Sequence, residues 1–198
     1  MKRLFNALCL IAAVNMFTSC QKENDKPTPA NINGVWTFVS MDVNTVSSQE
    51  YNDGLGNEKS VTTSKYTTEN NTGTVTIDAS TMTSSNLSYS VNTTAKAQFY
   101  FNGVLENTTE APFNFTSPAS NGTSTYKTVS ADSIYFEGGT VFMNDISQQT
   151  TPCGAKLSVD GNILYITATV AQSTSQVIAG IPIKMDVTAT SKVKLQRQ

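Results

Sequence analysis

Leu87-Ser88-Tyr89-Ser90-Val91-Asn92-Thr93-Thr94-Ala95-Lys96-Ala97-Gln98-Phe99-Tyr100-Phe101 alternates almost without a break. Tyr89, Val91, Ala95, Ala97, Phe99 and Phe101 share one parity. Ser88, Ser90, Asn92, Thr94, Lys96 and Gln98 share the other. Successive side chains of a strand point to opposite faces. A period of two with one apolar set therefore predicts a long antiparallel strand, half toward a core and half toward water. Asn102-Gly103 follows at once, and both residues tolerate the positive φ that a type I′ hairpin turn needs. The chain is expected to reverse there and return over 104–115, with Pro112 at an edge or a bulge because it cannot donate to a ladder.

The same grammar holds outward in both directions. Ile181, Ile183, Met185, Val187, Ala189, Val193 and Leu195 share odd parity against Lys184, Asp186, Thr188, Thr190, Lys192 and Lys194. The stretch 176–197 therefore reads as a strand, with Arg197 on its inward face. Asn52-Asp53-Gly54-Leu55-Gly56-Asn57 is a turn cluster. Strands are expected over 61–68 and 72–77 around Asn70-Asn71, over 123–129 after a hairpin at Asn121-Gly122, and over 133–136. Gly138-Gly139 turns into a strand over 140–146, and Asp160-Gly161 separates strands at 155–159 and 162–170. Cys153, between Pro152 and Gly154, is expected in a turn. No window shows a helical period with caps. Eight to ten antiparallel strands joined by hairpins point to an all-β domain, an up-and-down barrel with a β-sandwich as the alternative.

Composition narrows the chemistry. Net charge is −2 with 14% charged residues, so the chain offers no basic field for nucleic acid. Histidine is absent, which removes Ser-His-Asp and Cys-His nucleophilic machinery and the main neutral zinc ligand. Acid–base work would fall to carboxylates alone, and these are scattered through turns. The reading is a non-enzymatic, monomeric protein without cofactor or metal. Of three cysteines, Cys9 and Cys20 precede the domain, so Cys153 has no partner within it.

The N-terminus reads as an export address. Met1-Lys2-Arg3 is basic, residues 4–17 are mostly apolar, and small residues precede Cys20. This is the layout of a signal peptide over residues 1–19, too short in its apolar run to span a bilayer. Phe17-Thr18-Ser19-Cys20 resembles a bacterial lipobox, with Phe17 where Leu is usual. The resemblance implies cleavage before Cys20 and acylation of that residue. Two or more chains anchor stably at ~0.8 kcal/mol per buried CH₂. Gln21-Lys22-Glu23-Asn24-Asp25 resembles the signal that sends lipoproteins of Bacteroidetes-type bacteria to the outer face of the outer membrane. Residues 20–31, with Pro27 and Pro29, read as a tether, and 32–198 as the domain.

Gly34-Val35-Trp36 opens the first strand, Trp36 and Phe38 sharing a face. This Gly-x-Trp resembles the signature of lipocalin-like domains. The resemblance implies that Trp36 closes one end of an antiparallel barrel with a basic residue, Arg197, over its indole. It also implies an interior that holds a small hydrophobic ligand, lined by Tyr89, Phe99, Phe101 and Tyr165. The other reading is a surface module for glycan or another envelope protein, marked by Tyr51, Tyr66 and Tyr100 on one side. Asp132-Ser133-Ile134 resembles an O-glycosylation site of the same bacterial group, with Ser133 as acceptor.

Overall fold

The computed structural model describes residues 31–142 and 151–198. Cys20, the signal peptide and most of the tether lie outside the described residues. So does the end of the strand expected over 140–146; its beginning, Thr140–Phe142, is irregular.

The described chain forms β1 (Gly34–Asn52), β2 (Asn57–Thr67), β3 (Glu69–Ile77), β4 (Thr81–Phe101), β5 (Val104–Ser130), β6 (Ser133–Phe136), β7 (Cys153–Asp160), β8 (Ile163–Ile178) and β9 (Ile181–Arg197). All pairings are antiparallel, and β1 pairs with β9 from Trp36↔Arg197 to Tyr51↔Ile183, so the up-and-down sheet closes in a ring.

Four sequence expectations change. First, β2 and β3 do not reverse at Asn70-Asn71. They lie end to end along both neighbours, pairing with β4 from Glu58↔Phe101 through Ile77↔Met82 and with β1 from Asn52↔Asn57 through Gly34↔Ile77. The interruption between them is a bulge. Thr68 exchanges two bonds with the Met41 backbone, at 2.8 and 2.9 Å, and Asn70 takes a positive φ. Gly73, at φ +101°, lies so close to the Asn86 carbonyl that a Cβ would sit 2.6 Å from it.

Second, Asn121-Gly122 makes no hairpin; β5 runs through it for 27 residues. A bulge in β4 takes up the irregularity instead, with Asn86 at φ 52° donating its N–H to Asn121 Oδ1 at 2.8 Å. Third, 176–197 is interrupted by a turn at Ala179-Gly180, whose φ values of 51° and 84° match those of Asn102-Gly103, 49° and 81°. Both pairs have the positive φ at two central residues that type I′ hairpins require. Fourth, Cys153 is buried in β7 opposite Phe136, not in a turn, and burial pushes its thiol pKa up.

Strand lengths divide the sheet into two parts. Near the chain ends the ring is complete and its interior is packed: Trp36, Met41, Val75, Met82, Phe136, Leu164 and Leu195 are essentially inaccessible. Burying each such side chain stabilises by roughly 1.5–3 kcal/mol. β6 and β7 are short, at 4 and 8 residues. Phe142, just after β6, stacks on Phe38 with ring centroids 6.3 Å apart and fills the interior on that side. Beyond the ring the sheet continues as a wall in the order β5–β4–β2–β1–β9–β8. The wall ends in the turns at 52–57, 101–104 and 178–181. Asn31, the first described residue, sits at the opposite end beside Arg197. Pro112 lies on β5, an edge strand of the wall among the described residues, as its missing N–H requires.

Candidate functional site

Two features stand out. The first is a clasp between residues 31–36 and Arg197. Trp36 is fully buried, and its Nε1–H donates to the Ile32 carbonyl at 2.9 Å. The Arg197 guanidinium lies over the indole, 4.4 Å from the ring centroid. Its Nη1 and Nη2 donate to the carbonyls of Asn33 and Asn31 at 3.1 and 3.0 Å. Gly34, at φ +135°, passes beneath that guanidinium; a Cβ there would stand 3.2 Å from Nη1. The Gly-x-Trp pattern is thus local chemistry: glycine for the approach, tryptophan for the apolar floor, arginine tying both to the start of the domain.

The second feature is a trough on the inner face of the wall. Directly paired residues of antiparallel strands share a face, so the registers define its surface. β1 contributes Thr45, Ser47, Gln49 and Tyr51, and β2 contributes Ser60, Thr62, Ser64 and Tyr66. This central floor is rich in hydroxyls; Thr45 Oγ1 and Ser64 Oγ bond at 2.6 Å. One side is apolar through Ala95, Ala97 and Phe99 on β4 with Ala111, Phe113 and Phe115 on β5. The other is apolar through Ile183, Met185, Val187 and Ala189 on β9. A cavity of about 480 Å³ lies between them, lined by Thr45, Ser47, Ser64, Tyr66, Phe113, Phe115 and Val187.

The trough's base is the aromatic chain Phe38–Tyr89–Phe115–Phe113–Tyr66, with successive centroids 5.5–6.3 Å apart. Burial raises the Tyr66 phenol pKa. Among the described inner-face residues of this wall that take part in the pairings, Glu58 alone carries a formal charge. It sits at the turn end, opposite Phe101, and accepts a short hydrogen bond from the Tyr51 hydroxyl. That bond is the main reason the Tyr51 pKa is raised.

The residues expected to line a pocket separate. Tyr89 is fully buried in the packed base. Phe99 and Phe101 lie on the inner face toward the turns, 42% and 39% exposed, outside the cavity lining. Tyr165 is a correction. It pairs with Lys194 on the outer face, with Lys192 Nζ 4.6 Å from its ring centroid, because the inward parity of β8 belongs to Leu164, Ile166 and Ala168. Tyr66, Phe113, Phe115 and Val187 line the cavity instead. Tyr51 and Tyr66 face inward and Tyr100 faces outward opposite Lys59, so the three tyrosines share no surface. Ser133 opens β6 directly after the tight β5–β6 turn, its hydroxyl in a short hydrogen bond with Ser130.

The outer face is predominantly polar, with Asp42, Lys65, Lys96, Lys156, Lys192 and Lys194 pointing from it among scattered apolar residues such as Val35, Val46 and Tyr165. A membrane-spanning barrel presents an apolar band about 25 Å tall there; this sheet does not. Among the described residues no helix is long and apolar enough to cross a membrane.

No protein-family model matches the chain, and no curated protein does. Among solved structures, Ail, the attachment invasion locus protein of Yersinia pestis, aligns with 78% of this chain and 97% of its own, at 8% identity and a TM-score of 0.16. An overlap that low carries no argument about this chain.

Proposed function

We propose that the chain is a non-enzymatic, lipid-anchored protein of the bacterial outer membrane. In this reading Cys20 carries the lipid, and a monomeric lipocalin-like barrel binds a small apolar ligand. The observation that carries the reading is the cavity of about 480 Å³ walled by Tyr66, Phe113, Phe115 and Val187. Its size lies within the range of small-molecule pockets, and its lining combines apolar walls with a few hydroxyls, as such pockets do. The ligand belongs to the trough and not to the ring, because the ring interior is filled by its own side chains.

The aromatic geometry favours an apolar occupant over a glycan. Phe113 meets Phe115 at 60° and Tyr66 at 45°, so the three rings do not align into one flat stacking platform. The polar outer face suits a domain held in water by a tether, and the tether joins at the end opposite the turns.

The test is binding of the neutral fluorophore N-phenyl-1-naphthylamine to the full chain and to Phe113→Glu. Saturable binding to the parent, weakened at least tenfold in the variant, supports the reading. Equal binding to both, or none to the parent, refutes it.

A further inference from the structure

The inner face of the wall is apolar on β4 and β9, hydroxyl-rich along the floor between them and polar again on β8 through Gln172, Thr174 and Gln176, and it holds no lysine or arginine among the described residues. We propose that it selects uncharged long-chain amphiphiles, such as fatty alcohols or monoacylglycerols, and discriminates against fatty-acid anions. This inference rests on the ligand-binding reading above and adds the chemical class of the ligand.

Length comes first. The apolar strip runs along β4 from Val91 to Phe101, interrupted by Thr93, with Phe115, Phe113 and Ala111 of β5 beside its first half and Thr109 and Asn107 beside its second. That is about ten residues, or ~33 Å at ~3.3 Å per residue. One acyl chain spans half of a hydrocarbon core ~30 Å thick, so an extended chain fits within the strip. Phe99, Phe101 and Phe113 are 42%, 39% and 38% exposed along it. An apolar chain laid there covers surface that otherwise faces water.

Charge comes second. A carboxylate taken out of water is offset chiefly by a paired cation, which neutral hydroxyl donors replace only in part. The nearest formal charge supplied by the paired inner face is Glu58, which has the same sign. The floor instead supplies the hydroxyls of Thr45, Ser47, Thr62 and Ser64. Each can both donate and accept. The Thr45–Ser64 pair therefore keeps acceptor capacity for a ligand hydroxyl, and no lost charge has to be compensated.

The experiment is photolabelling of the full chain with two diazirine probes of equal length, one ending in a hydroxyl and one in a carboxylate, at pH 8. Labelled peptides are mapped by mass spectrometry. The alcohol is expected to label peptides carrying Tyr66, Phe113 or Val187 at least tenfold more than the acid. Thr62→Lys, placing a cation on the floor, is expected to reverse that preference, with Trp36 emission confirming the fold. Equal labelling by both probes, or an unchanged preference in Thr62→Lys, overturns the selectivity while leaving ligand binding standing. Labelling by neither probe in the trough overturns the ligand-binding reading and this inference with it.

Discussion

Replacing Arg197 by Met isolates the polar part of the clasp. Methionine keeps an apolar stem near Trp36 but removes the guanidinium. Lost are two hydrogen bonds, at 3.0 and 3.1 Å, to the carbonyls of Asn31 and Asn33, and a cation 4.4 Å from the indole centroid. A net hydrogen bond is worth about 0.5–1.5 kcal/mol and a cation over an indole about 0.5–2 kcal/mol. Arg197 is exposed, so water re-solvates the freed carbonyls and the lower ends apply. The expected loss is about 1.5 kcal/mol. Trp36 is the only tryptophan, so its emission reports directly on the site during urea unfolding. With a slope of about 2 kcal/mol/M the midpoint should fall by about 0.7 M. Arg197→Lys keeps the charge but not the fork and should fall about half as far. A midpoint shift below about 0.2 M for Arg197→Met would refute the idea that this contact secures the ring.

Gly73→Ala should destabilise by about 1–3 kcal/mol, since φ is +101° and the new Cβ meets the Asn86 and Leu87 backbone, whereas Gly154→Ala, with open space around it, should be near neutral in the same melts. Cys153 should resist a thiol reagent in the folded chain and react on unfolding. Its folded pKa is raised, so its contribution is fully present below the free-thiol value of about 8.5. Above that pH the unfolded chain loses the proton first and stability should decline; a rise with pH would contradict the buried placement. Phe38→Ala should cost about 3–5 kcal/mol, because the ring touches both Tyr89 and Phe142; a loss below 1 kcal/mol in calorimetry would count against the packed base. Cys20→Ser should abolish incorporation of radiolabelled palmitate and release the protein from membranes, and retained label would place the lipid elsewhere.

Legibility followed periodicity. The alternation in β4 and β9 names the inward residues directly and puts Arg197 on the inward face, whereas its place opposite Trp36 depends on the β1–β9 register, which shifts between Phe38 and Ser40. Turns with two residues free to take positive φ were readable where the sequence is Asn-Gly, but Ala179-Gly180 hides because alanine rarely adopts that conformation. Asn121-Gly122 misleads for the opposite reason. Its irregularity is matched by a bulge across the ladder, which one strand's sequence does not reveal. Tyr165 was misplaced because β8 has β-branched or aromatic residues on both parities, so only pairing with β9 decides its face. The trough was least legible. Phe113 and Phe115 belong to a polar strand that also carries Pro112, and their importance comes from Tyr66 and Val187, distant in sequence, reaching the same cavity.

The ligand-binding account meets its most direct test in native mass spectrometry of the full chain, released from its own envelope extract, beside Phe113→Arg prepared identically. The expected result is a retained apolar mass on the parent, absent from the variant. A parent carrying no added mass, or a variant carrying the same one, would contradict it.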